Sequence, residues 1–273
     1  MPHMPPCPHL SSGLLTRAGF VHAFFTRRGG VSEGPFAELN LSPGVGDRPE
    51  HVSENLGRAA RSLGLTRERV YVAAQVHDKG VLVLHGDEAP SAVAQVPADA
   101  IVSGTAGLGC GVRTADCVPI LLADPETGRV AAVHAGWRGV TRRVIASTTL
   151  RLQELGSRSG ALLAAIGPHI GPDAFEVDAD VAGELERASS ASDVVQQRAG
   201  SKPHVNLARI VRAQLIESGL VDGQIEDVPG CTCSDAAAFF SYRRDGQKSG
   251  RMLAVIVPSG APSGAGGDSR GRG

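Results

Sequence analysis

The order of hydrophobic segments implies an α+β fold, a single domain with mixed β-sheets flanked by helices. Strand-sized apolar runs crowd the middle of the chain and helix-periodic stretches are interspersed around them. The short gaps between the central runs suit hairpins better than repeated βαβ crossovers. Residues 21–26 read as a first strand, and the following RRGGVSEGPFAELNLSPGVGDRP is a long loop whose glycines and prolines forbid regular structure. Residues 49–63 have helical spacing, with Val52, Leu56, Ala59, Ala60 and Leu63 on one face and Gly64 as the stop. The runs 70–76, 81–84, 100–102, 111–114, 118–122 and 130–133 are short and punctuated by Gly, Pro and Asp, which marks strands. A helix at 140–155 lies between Gly139 and Gly156, and a buried strand follows at 162–166. Helices near 179–188 and 207–218 come next, and a strand at 252–257 closes the core.

The chain has 273 residues, 42% of them hydrophobic, so it holds ample material for a core and disorder is excluded as its main state. Residues 1–12 and 259–273 are rich in Pro, Gly and Ser without periodicity and are expected to be flexible, leaving 13–258 as the folded domain. With 27 basic against 28 acidic residues the net charge is -1, which offers no general attraction to nucleic acid or to anionic lipid. No apolar run approaches the ~20 residues that span a bilayer, and the N-terminus lacks a basic start followed by an apolar stretch. Five cysteines, Cys7, Cys110, Cys117, Cys231 and Cys233, are too sparse for a disulfide framework. Reduced thiols and a cytoplasmic address are therefore expected.

The reactive residues fall at strand ends. His77 follows the 70–76 run, Cys117 opens the 118–122 run, and His134 ends VAAVH before the turn AGWRG. Were these strands neighbours, two imidazoles and a thiolate would meet at one rim with a fourth side open. Zinc accepts such donors, and a catalytic zinc keeps three protein ligands and an exchangeable position. With one thiolate the centre would carry a net charge near +1, attracting an oxyanion or acidifying bound water. Each residue also has a plain structural reading: a strand-end histidine, a small buried cysteine, and Trp137 as packing. A metal-free reading makes Cys117 a nucleophile with His77 or His134 as its base, and a non-catalytic binding role is the third class.

These residues sit in segments that resemble the YfiH/laccase-domain family, formerly named polyphenol oxidase. The shared segments are the TRRGGVSEGPFAELNLSPGVGD loop, QVH, ADCVPILLAD, VAAVHAGWRG, IGPHIGP, FFSYRRDG and GRMLAVI, in family order over residues 20–257. The resemblance implies a zinc-dependent purine nucleoside phosphorylase acting on adenosine, inosine, guanosine and methylthioadenosine, with adenosine deaminase activity. It implies zinc on His77, Cys117 and His134, with a purine nucleoside and phosphate as partners; a monomer or small homo-oligomer is expected. On that reading Arg138, close to His134, is the preferred phosphate or ribose clamp and Arg27 a second candidate. Asn40 is a candidate for hydrogen bonding ribose or base. Asp116 is a candidate general acid/base or a partner that orients an imidazole.

The runner-up activity is a Cys-His or zinc hydrolase that edits peptidoglycan precursors. Copper-dependent polyphenol oxidation is a weaker match, since the chain has no His-x-His pair and its methionines are Met1, Met4 and Met252. The chain also departs from the family pattern, with His169 and Asp173 where many members carry cysteines and Phe175 in place of a frequent tyrosine. Cys231 and Cys233, spaced as CTC, read as reduced structural cysteines.

Overall fold

The structure is a computed structural model that describes residues 6–259. Its strands are β1 (His9–Leu10), β2 (His22–Phe25), β3 (Val70–Tyr71), β4 (Val81–Leu84), β5 (Ala100–Ser103), β6 (Gly109–Thr114), β7 (Val118–Ala123), β8 (Val130–Ala135), β9 (Leu163–Ile166), β10 (Val195–Gln196), β11 (His204–Val205), β12 (Ile225–Asp227) and β13 (Met252–Ile256). Its helices are α1 (Gly13–Arg17), α2 (Pro49–Ser62), α3 (Pro90–Val93), α4 (Trp137–Thr141), α5 (Val144–Glu154), α6 (Ala179–Glu186), α7 (Leu207–Glu217) and α8 (Tyr242–Asp245). One sheet has five strands in the order β1-β2-β13-β6-β3, a second has six in the order β12-β9-β7-β8-β5-β4, and β10 and β11 form a small ribbon. Both large sheets are mixed: β3 runs parallel to β6, β4 to β5 and β12 to β9, while the other pairings are antiparallel. The α+β expectation with mixed sheets and flanking helices therefore holds.

Side-chain alternation turns these sheets into four layers. Successive strand residues face opposite sides, so Phe24, Val112, Ala254 and Ile256 of the first sheet meet Ile101, Leu121, Ala132 and Ala165 of the second. The other face of the first sheet, through Phe25, Leu253 and Val255, packs on Ala59 and Leu63 and on Leu56 of α2. The other face of the second, through Ile120, Leu122 and Val133, is covered by Ile145, Leu152, Ile210, Val211 and Leu215 from α5 and α7. A sheet buried on both sides asks for apolar residues at consecutive positions, which is why VPILLA and VAAVHA read as unbroken runs.

Several boundaries differ from the sequence expectation. The helix expected at 140–155 is two helices, because Arg143 at φ 64° leaves the right-handed region between α4 and α5. The strand expected at 70–76 is regular only over Val70–Tyr71; Ala74 then makes one isolated bridge to Pro97 as the chain runs irregularly to His77. The flexible N-terminus expected through residue 12 is corrected from Cys7 onward. Cys7 is 3% exposed, its N–H donates to Ser62 Oγ at 2.9 Å, and His9 and Leu10 pair with Phe25 and Phe24. Ser12 caps α1 and accepts from Leu15 N at 3.1 Å. A two-residue edge strand and a single cap are too short to leave a periodic signal, and prolines suit an edge. Of the tail expected at 259–273, all but Ser259 lies outside the described residues.

The topology sends one set of residues to one rim. Strands β6 and β8 end there, their antiparallel neighbours β13, β7 and β5 begin there, and the chain leaving β3 reaches it through residues 72–77. Residues 115–117 cross from the end of β6 in one sheet to the start of β7 in the other.

Candidate metal centre

His77, Cys117 and His134 converge at this rim, and their ligand atoms all lie within 4.8 Å of one another. Cys117 Sγ is 4.0 Å from His77 Nε2, and the two imidazoles meet edge to face with centroids 4.8 Å apart. Tetrahedral zinc with N and S donors separates its ligands by about 3.5 Å, so the trio fits such an ion after small side-chain shifts. His77 is exposed, Cys117 half-buried and His134 buried, which leaves an open side towards solvent.

A single buried carboxylate organises both histidines. Asp99, which precedes β5 and is 0% exposed, accepts from the His134 ring through Nδ1 at 2.8 Å. Its oxygens also accept the backbone N–H groups of Val76, His77 and Asp78 at 3.1, 2.9 and 2.8 Å. The first contact turns His134 Nε2 towards the shared point, and the others pin the irregular approach to His77. Burial alone would raise the Asp99 carboxyl, yet the His134 hydrogen bond and the N–H groups of Asp78 and Val76 hold it below the usual carboxylate range. Burial likewise opposes a charged Cys117, but the charge of His134 and hydrogen bonds from both imidazoles bring the thiol down. The Cys117 charge and the Asp99 hydrogen bond raise His134 against its burial. In the absence of an ion, the two residues thus favour a thiolate–imidazolium pair.

The backbone is unusual on both sides of the thiol. His77 has φ 59° and Asp116 φ 90°, both in the region that L side chains seldom adopt, as is common at functional sites. Gly136 supplies the remaining space: a Cβ there would stand 2.9 Å from His77 Cδ2 and 3.0 Å from Cys117 Sγ. Gly136→Ala is expected to keep the fold and weaken metal binding by about 10–100-fold as two ligands are pushed apart. Competition with a chromophoric chelator checks this; unchanged affinity would show that the glycine is not needed.

The other expected site residues take different places. Asp116 is tightly engaged: Oδ1 accepts from Thr232 Oγ1 and Oδ2 from Arg243 N, each at 2.6 Å, and its carbonyl accepts from Ile170 N at 3.0 Å. These contacts suit it to positioning Cys117 and the 243 segment. Arg138 lies exposed on α4, its guanidinium 4.5 Å from the Trp137 ring centroid, with no carboxylate partner among the described residues. Arg27 is committed to the loop, donating to Ala37 O at 2.9 and 2.6 Å and to Ala236 O at 3.1 Å, over the Phe240 ring. Asn40 as a direct ribose or base ligand is corrected. It is 0% exposed, Nδ2 donates to Ser42 O and Asp47 Oδ2, and Oδ1 accepts from Ser42 N and Arg251 N, which saturates the amide.

His169 lies outside the trio, its Nδ1 2.8 Å from Gly167 O. All five cysteines are free, and Cys231 Sγ accepts from Gly171 N at 3.2 Å. Sequence reasoning missed Asp99 and the space reserved by Gly136. The available signals were an acidic residue directly before the AIV run and a glycine two residues after a candidate ligand.

A four-layer α+β sandwich with a two-histidine, one-cysteine cluster at its rim defines the class: a single-domain protein with a group open to solvent that could bind a metal. Residues 21–259 match the family described as multi-copper polyphenol oxidoreductase laccase. The purine nucleoside phosphorylase of Deinococcus radiodurans is 42% identical over 239 residues, covering 86% of this chain and 88% of that protein. The purine nucleoside phosphorylase YfiH of Escherichia coli is 39% identical over 235 residues, covering 85% and 90%. Among solved structures, YlmD from Geobacillus stearothermophilus superposes with a TM-score of 0.83 at 32% identity, covering 88% of this chain and 92% of that one. The hypothetical protein YfiH of Bacillus licheniformis gives 0.86 at 28%, covering 93% and 97%. The chain belongs to the YfiH/laccase-domain family and is an enzyme of that family. No helix among the described residues is long and apolar enough to cross a membrane.

Proposed function

We propose that this protein is a zinc-dependent purine nucleoside phosphorylase of the cytoplasm. It cleaves adenosine, inosine, guanosine and methylthioadenosine and also deaminates adenosine. The observation that carries the reading is the convergence of His77, Cys117 and His134 in a chain whose relatives are named purine nucleoside phosphorylases. In phosphorolysis an oxygen of phosphate bonds to the anomeric carbon of ribose. The glycosidic C–N bond breaks, its electron pair leaves with the base nitrogen, and a proton neutralises the departing base. The enzyme must hold the anion, align it with the anomeric carbon and stabilise the leaving base.

When bound, zinc supplies positive charge and Lewis acidity at the open side of the trio. Asp99 fixes the ring orientation of His134 and the loop that carries His77. Arg138, unpaired and exposed three residues beyond the His134–Ala135 strand end, is the phosphate or ribose clamp. Asp116 holds the 243 segment against the site.

Zinc is favoured over copper by the donor set. A blue-copper centre commonly adds a weak axial methionine to two histidines and a cysteine, but Met252 is buried and its sulfur accepts from Phe240 N at 3.1 Å. One His-Cys-His group is found among the described residues, whereas a multicopper cluster needs several. The lowered Cys117 thiol beside a raised His134 favours a second reading, a metal-independent Cys-His hydrolase that edits peptidoglycan precursors. One experiment separates them. Chelated protein is expected to lose base release from nucleosides, regain it on zinc addition, and show it only when phosphate is present. Activity indifferent to chelation supports the hydrolase, and base release without phosphate indicates hydrolysis.

A further inference from the structure

Two arginines that the sequence did not single out stand together at the site rim. In the pairing of β6 with β13, Arg113 faces Leu253 and Thr114 faces Met252, so Arg113 and Arg251 belong to the same face of the sheet, at the end where β13 begins. They bracket one residue: Arg113 Nε donates to Leu41 O at 2.8 Å, and Arg251 O accepts from Leu41 N at 3.0 Å. Asn40, with its saturated amide, accepts from Arg251 N at 3.0 Å and so fixes the second arginine from the same loop. Arg251 Nη1 donates to Ser249 O and Gly250 O at 2.7 and 2.9 Å, and its guanidinium lies 5.7 Å from the half-exposed Tyr242 ring.

Neither arginine has a carboxylate partner among the described residues, although both are partly buried. Both guanidiniums retain N–H donors without a protein acceptor. These donors are not sealed in, since the only fully buried side-chain polar atoms without a partner among the described residues are His51 Nδ1 and Gln214 Oε1. A guanidinium taken partly out of water and left with open donors is a receptor for an oxyanion, which it grips through two parallel N–H groups. Burial lowers Arg113 to about 10 with nothing offsetting it. Burial also lowers Arg251, while the nearby Cys117 and Asp116 act the other way; in the β6–β13 register Arg251 comes one residue before Met252, the partner of Thr114, and so stands beside the 115–117 crossing that carries the thiol ligand. Arg27 has less of this freedom, because the Ala37 and Ala236 carbonyls take three of its five N–H donors, one on each of its nitrogens.

We infer that Arg113 and Arg251 form the oxyanion-binding pair of this enzyme and hold inorganic phosphate beside the metal ligands, leaving Arg138 to the ribose. The inference deepens the phosphorolysis reading and rests on it. Zinc-loaded Arg251→Gln and Arg113→Gln are expected to raise the phosphate KM roughly tenfold or more, with the nucleoside KM within about twofold, as fits loss of a charge-assisted contact. Arg251→Lys recovers part of the loss. A phosphate KM unchanged in both variants, or raised only by Arg138→Gln, overturns it.

Phenylglyoxal labelling of the wild-type holoprotein, mapped by peptide mass, covers variants that fail to fold. Phosphate, but not chloride at equal ionic strength, is expected to protect Arg251, and labelling that phosphate leaves unaltered overturns the assignment. Because labelling needs no turnover, it also tells failure of the oxyanion pair from failure of the phosphorylase reading. Protection of Arg251 in a protein without phosphorolysis would keep the pair and discard the activity.

Discussion

Cys117→Ser is expected to lose stoichiometric zinc and to lower kcat/KM for nucleoside phosphorolysis at least ~10³-fold. A serine hydroxyl stays protonated near neutral pH, so the anionic donor disappears and two imidazoles remain, one exposed and one buried. Losing the several kcal/mol that a cation contributes to a charged transition state corresponds to about three powers of ten. The fold should survive, because Cys117 is only half-buried at the mouth of β7 while Val118 and Ile120 behind it carry the packing. Metal analysis by mass spectrometry, with circular dichroism as the control on folding, checks the result. Full zinc occupancy in the serine variant would remove the thiolate from the ligand set.

Asp99→Ala is expected to be the most damaging change that touches no ligand position. It leaves three backbone N–H groups and the His134 ring without their shared acceptor inside the protein, a loss of roughly 3–5 kcal/mol for a broken buried pair. Zinc affinity should fall about 10–100-fold at the same time, as for other partners that orient a ligand. The effect carries a pH signature in metal-free protein. The folded carboxyl titrates below its unfolded value, so its contribution is complete above the ordinary carboxylate range, near pH 4, and is lost as the pH falls through the folded value. Asp99→Ala should therefore lack that part of the acid-unfolding slope. Denaturant melts at pH 7 and pH 3 measure it, and an equal difference between wild type and variant at both would assign the cost to packing.

How far the sequence went follows from what local pattern can encode. The three candidate ligands were legible because each interrupts or bounds an apolar run, and a residue at a strand end has a definite place once the strands pair. Asp99 was not, since an aspartate before an apolar run looks like any turn residue until distant backbone N–H groups are seen to point at it. Arg113 was hidden inside a strand, where its lack of a counterion is a fact about neighbours from other segments. Arg138 and Arg27 were singled out by closeness in sequence to shared motifs, a measure blind to which donors the fold has already spent. The break between α4 and α5 escaped notice because apolar residues continue through it and Arg143 gives no local sign of its left-handed backbone. The N-terminal strand was obscured by composition: prolines that suggest a loose end also suit an edge.

The three donors do not come from one sheet. His77 lies in the irregular stretch between β3 of the five-stranded sheet and β4 of the six-stranded one, whereas Cys117 opens β7 and His134 lies in β8, both of the six-stranded sheet. His77 sits on the link between the two sheets and is held there by Asp99, so the three-donor group is complete only when that link is in place against the six-stranded sheet. An ion held by all three donors would clamp that link in place, so metal binding and folding would stabilise each other.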